Sequence, residues 1–257
     1  MAMAAAQSRP IQPQSRGPIS IVLEIAMGLV FMSLFSIFVG TIIEIAGSYT
    51  FWKAEGLGHA QRIVQQDLHY IEQAPRSILV RDTVSFSKRL IERVRFPYER
   101  LGILRWYQSS HSTTGVGDLL QGQSSGTRQV RAGVDRASAT ASRMFAHIAV
   151  TSMYVAQDVF LRLAIAVFAL PAFALACLVG VVDGMVKRDL RRWQGGRESS
   201  FVYHHAKRYT KWALTAGFGF YLTWPFGGIN PTWMVLIFTV LVAFTLSVTV
   251  ASFKKYV

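Results

Sequence analysis

The chain is poor in charge, and poorer in acid than in base. Of 257 residues only 16% are Asp, Glu, Lys or Arg, and 14 acids face 27 cations, which leaves a formal +13. Soluble domains carry about 25% charged residues. With 51% hydrophobic residues and a mean hydropathy of +0.31, the composition argues against a soluble globule and for a membrane protein. It also excludes intrinsic disorder, which requires low hydrophobicity. Cys177 is the single cysteine, so no intramolecular disulfide and no cysteine-based metal site can form. It lies in an apolar stretch and reads as core packing.

Catalytic signatures are lacking too. There is no Walker loop, no Gly-x-Ser-x-Gly, no His-Glu-x-x-His and no Rossmann glycine pattern. His204 and His205 invite a metal reading. Six histidines in all, with His59, His69, His111 and His147 far from that pair in the chain, do not make the several clusters such a centre needs. No catalytic, cofactor or metal residue is assigned, and the chain reads as no enzyme.

What is present is uninterrupted apolar length. A bilayer core of about 30 Å needs about 20 apolar residues in a helix. Four segments approach or meet this: 19–52, 159–182, 212–226 and 232–253. In the first, the uncharged run from Ile25 to Ile43 is bracketed by Glu24 and Glu44. Those carboxylates stand about 30 Å apart on a helix, so both reach an interface. That position disfavours a proton-relay role for either. The third segment is short and holds Gly217 and Gly219, yet Trp212, Tyr221 and Trp224 supply the aromatic belt of a membrane surface. A secretory h-region runs to about 15 residues; the first segment is longer and follows a polar leader containing Pro10, Pro13 and Pro18, so it reads as an uncleaved anchor.

Orientation follows the cations. The tail 1–18 holds Arg9 and Arg16 and no acid, the segment 183–211 holds eight cations against three acids, and the end 254–257 holds Lys254 and Lys255. By the positive-inside rule all three are cytoplasmic. The connection between the third and fourth spans is uncharged and fits an outer turn. The expected protein is therefore all-α, with four transmembrane helices, both termini cytoplasmic, and a long extracytoplasmic region, 53–158, between the first and second spans. That region carries 14 cations against nine acids, but long loops translocate regardless of charge. It reads as amphipathic helices: Ile63, Val64, Leu68 and Ile71 recur at helical spacing, as do Val84, Leu90, Ile91 and Val94, then Leu101, Leu104 and Trp106. Gly, Ser and Thr near 111–127 predict a flexible tip. From Val130, the stripe Val134, Ala137, Ala141, Met144 and Ile148 predicts one long helix running into the second span.

Two candidate sites emerge. Glu44 and Arg162 end and open neighbouring spans at one level, where an ion pair would offset the cost of charge near hydrocarbon; the alternative is that each snorkels to the interface. In the inner segment, Val186, Leu190 and Trp193 fall on one face with Lys187, Arg188, Arg191 and Arg192 around them, as in a basic amphipathic helix lying along a membrane surface. Gly195 and Gly196 permit a reversal, and Arg197, Glu198, Tyr203, His204, His205, Lys207 and Arg208 follow. The bland reading is topology and anionic lipid of the inner leaflet; the sharper one is a docking hairpin for a cytoplasmic partner.

The string from Val182 to Arg208, VDGMVKRDLRRWQGGRESSFVYHHAKR, resembles a signature of the integrating conjugative element membrane protein family of bacteria, as does the order of anchor, long loop and three spans. The resemblance implies a role in horizontal DNA transfer, in or beside a type IV secretion apparatus and near its coupling ATPase, and the leading expectation is a non-enzymatic inner-membrane component. Its expected partner is a coupling ATPase or relaxosome protein. Direct DNA contact by the same cations is disfavoured, since the loop offers few clustered cations and Trp193 as its one well-placed aromatic. A transporter or channel subunit, an envelope protein acting through 53–158, and an oligomer are the alternatives.

Overall fold

The computed structural model describes residues 17–74, 77–112, 127–195, 212, 215–224, 227 and 230–252. Its elements are α1 (Pro18–Thr50), α2 (Leu57–Gln73), α3 (Thr83–Arg100), α4 (Ile103–Ser112), α5 (Thr127–Phe168), α6 (Leu170–Trp193), a helical stretch α7 over 215–223, and α8 (Pro231–Ala251). The described residues contain no strand, as an all-α fold requires.

α1 and α8 are apolar on every side. Such a helix must be buried in protein or face lipid, and α1 leaves Val22, Met27, Val30, Phe31, Leu34 and Phe38 exposed. Its hydroxyls cause no conflict, because Ser33 donates to the carbonyl of Leu29 and Thr41 to that of Ile37. In α8, Thr239 and Thr245 donate to Val235 and Leu241 in the same way. Four helices are long and apolar enough to cross a membrane: Val22–Thr50, Ala137–Phe168, Leu170–Trp193 and Pro231–Ala251.

The number agrees with the sequence reading, but the set differs. The stretch expected as one span at 159–182 is divided between α5 and α6. Pro171 explains the break, since it has no N–H to donate and its ring clashes with the carbonyl four residues back. Helical bonding persists on both sides, from Ala169 N to Ile165 O at 3.0 Å and from Phe173 N to Ala169 O at 3.1 Å. The apolar character of α5 is spent largely on protein. α1, α2, α3 and α4 all pack on it, and a core of Val64, Ile71 and Leu161 is flanked by Ile91, Tyr154, Ile165 and Phe168. α7 is helical over 215–223 within the expected third span. Residues 183–193, expected as a separate surface helix, continue α6 without interruption.

α6 and α8 pack through small residues. A Cβ added at Gly180 would lie 2.6 Å from the carbonyl oxygen of Ala243, and one at Gly184 2.7 Å from that of Ser247. Glycines four apart thus bring two backbones into contact, the small-xxx-small device of membrane helices. Numbers rise together on both helices, so they run parallel. α7 and α8 are antiparallel, with Gly217 against Phe238. α1 runs with α7: Gly219 meets Met32, and Thr223 donates to Ser36 at 3.1 Å.

Candidate functional site

After α1 the chain reverses within six residues, 51–56, ending on Gly56 at φ 49°. The left-handed region at Gly56 disfavours a side chain. Trp52 folds back over Gly47, where any Cβ would overlap its indole, and its ring stacks on His59 with centroids 4.0 Å apart. This reversal lays α2 along α5. The apolar stripe of α2 buries Ala60, Ile63, Val64 and Ile71, and with them His59 and Asp67.

Those two polar residues enter a buried charged cluster. Arg162, on α5, is 3% exposed. Its Nε donates to Asp67 Oδ2 at 3.0 Å, Nη2 lies 3.1 Å from Asp158 Oδ2 one turn earlier on α5, and Nη1 donates to the carbonyls of Tyr221 and Trp224 at 2.9 and 2.7 Å. The guanidinium therefore joins α2, α5 and the end of α7, where a cation suits the unpaired carbonyls of a helix C-terminus. Beside it, His59 Nδ1 and Glu44 Oε1 are 2.8 Å apart.

The pair expected between Glu44 and Arg162 is replaced by these partners. Two carboxylates closer to Arg162, one of them on the same helix, take up its donors, and Glu44 is met by His59. Sequence reasoning did not select Asp67, Asp158, His59 or Tyr221. A signal existed: Asp67 interrupts the apolar stripe Ile63, Val64, Ile71, and Asp158 stands four residues before Arg162, on its face.

At the other end of the bundle, the cations at the end of α6 divide into two groups. Lys187 donates to Asp183 Oδ2 at 2.6 Å and to Ser247 Oγ at 3.2 Å, and Ser247 donates to the same carboxylate at 2.5 Å. Arg191 donates to the carbonyl of Ala251 at 3.1 Å, in the last turn of α8. These two hold α6 against α8. Arg192 and Trp193 point elsewhere and are exposed, Trp193 to 90%. Arg188 lies 3.9 Å from Asp189 and is half-buried. Val186 and Leu190 are also exposed. The remaining candidates, Arg197, Glu198, Tyr203, His204, His205, Lys207 and Arg208, lie outside the described residues. Among the described residues, no group of three or more His, Cys, Asp or Glu could hold a metal.

The fold and these sites define an all-helical protein with four membrane-length apolar helices, a charged cluster at one end and a basic surface at the other. Residues 51–254, well over half the chain, match the family described as IncC plasmid conjugative DNA transfer protein DtrJ-like, and the chain belongs to that DtrJ-like family. Membership associates it with conjugative DNA transfer, the broader part of what the inner segment's resemblance implied. No curated protein and no solved structure matches the chain.

Proposed function

We propose that this protein is a non-enzymatic inner-membrane component of a conjugative DNA-transfer apparatus, oriented with both termini cytoplasmic, and that it docks a cytoplasmic partner through the basic end of α6. The partner class is a coupling ATPase or relaxosome protein of a type IV secretion-like system. The carrying observation is Trp193, exposed to 90% at the end of a membrane-length helix, with the exposed Arg192 preceding it and Arg188 one turn further back. A large exposed aromatic with flanking Arg is the composition of an interface hot spot. The helix directions support the orientation, since the start of α1 and the ends of α6 and α8 fall on one side of the bundle, and α2 to α4 on the other. Anionic lipid of the inner leaflet would meet the same cations.

Affinity capture from membranes tests the reading. Arg188→Ala with Arg192→Ala and Trp193→Ala should abolish recovery of the transfer proteins that the native chain captures. Unchanged recovery would contradict docking at this surface. Cysteine accessibility in a Cys177→Ser background tests the orientation separately: Ser124→Cys should label from outside and Ser199→Cys from inside.

A further inference from the structure

We propose that Asp67, Asp158 and Arg162, with the adjoining Glu44–His59 pair, form a proton-binding site that latches α2 onto α5. Three carboxylates, of Glu44, Asp67 and Asp158, are 9% exposed or less, and the guanidinium of Arg162 is the cation hydrogen-bonded among them. His59 adds a positive charge when protonated, and the acids still exceed the cations. Uncompensated charge away from water is costly, so the site demands a further positive charge. Among the described residues, the groups facing the site are Glu44 from α1, His59 and Asp67 from α2, Tyr154, Asp158 and Arg162 from α5, Tyr221 from α7, and the uncharged Pro231 and Met234 from α8. Glu55, in the turn, binds Arg62.

Two unpartnered atoms point to where that charge goes. Asp158 Oδ1 is buried with no hydrogen-bond partner, and Asp158 lines, together with Glu44, a small cavity between α1, α2, α5 and α7. The Tyr221 hydroxyl is likewise buried and without a partner, in a residue lining the adjoining cavity with Asp67 and Arg162. Besides the carboxylates of Glu44 and Asp158 the first cavity is apolar but for Tyr154, Thr223 and Trp224. A hard cation is held by several carboxylates among six or more oxygens, and among the described residues no group of three or more His, Cys, Asp or Glu could hold a metal ion. A proton needs a single oxygen, and on Asp158 Oδ1 it turns an orphan acceptor into a donor. Because Asp67 and His59 lie on α2 and the other groups do not, loss of that proton sets like charges against each other across the α2–α5 contact.

Infrared spectroscopy on the full chain in lipid nanodiscs, with aspartate carrying a carbon-13 carboxyl, tests this. At neutral pH the expected result is a carbonyl stretch of a protonated carboxylic acid that shifts with the label, disappears in Asp158→Asn and persists in Glu24→Gln. Absence of that band, its survival in Asp158→Asn, or its loss on adding sodium at constant pH would overturn the proposal. Should Asp158→Asn fail to fold, Asp158→Glu decides: the acid band should remain but lose its isotope shift, and a band that still shifts with labelled aspartate would overturn the assignment. As pH rises and the band is lost, amide protection factors of Ile63 and Val64 should fall at least tenfold; unchanged protection would overturn the latch.

Discussion

Arg162 and Asp67 are 95 residues apart in the chain, yet Nε of the one donates to Oδ2 of the other at 3.0 Å with both side chains 4% exposed. That contact ties α2 to α5, the longest helix among the described residues. Removing one partner of a buried pair leaves an unpaired charge and costs about 3–5 kcal/mol. Arg162→Gln should therefore lower the thermal midpoint in detergent more than Asp67→Asn does, because it strands two carboxylates and two carbonyls. An equal or smaller loss would mean that Arg162 is not the organising group.

Glycine positions should divide by what faces them. Gly180→Val meets the Ala243 carbonyl and Gly184→Val the Ser247 carbonyl. Overpacking of this kind costs about 1–3 kcal/mol, and disulfide trapping between cysteines placed on α6 and α8 should fall with it. Gly28→Ala has nothing within 4 Å and should leave both stability and trapping unchanged.

The basic end of α6 should separate stability from partner capture. Arg191→Ala removes the donor to the Ala251 carbonyl of α8 and should loosen the α6–α8 pair. Arg192→Ala and Trp193→Ala touch exposed side chains, where substitutions shift stability by about 0.5 kcal/mol or less. Unfolding curves for the three variants, run beside the capture assay, test the division.

Much of this was legible. Charge-free runs locate α1 and α8, and the stripe from Val134 to Ile148 foretells the long α5. Other features were present but unread: Gly180 and Gly184 stand four apart, a spacing that marks helix packing. The charged cluster is harder, because partners 95 residues apart are brought together by the fold-back of α2, which depends on Gly56 and on Trp52 packing over Gly47. Hydrophobic length also misled at α5, where apolar residues serve four protein neighbours as well as any bilayer. The basic residues of α6 look alike in sequence, and only the position of α8 separates Lys187 and Arg191 from Arg192.

α3 is capped by Asp82, whose carboxylate accepts from the Ser85 amide at 2.9 Å. Hydrogen bonds from the Ser85 side chain and backbone hold its carboxyl below the ordinary value of 3.8. The cap therefore supports α3 above that value and weakens as pH falls through the lowered one. Asp82→Ala should speed hydrogen exchange in the first turn of α3, and Asp82→Asn, an equally good N-cap, should restore slow exchange and remove its acid dependence.

The most direct test of docking is photocrosslinking in intact donor membranes from a probe at position 193. Docking at the α6 end predicts crosslinks to a cytoplasmic transfer protein, lost when Arg188 and Arg192 are replaced by Ala. Recovery of lipid adducts alone, with transfer proteins present in the same membranes, would contradict it.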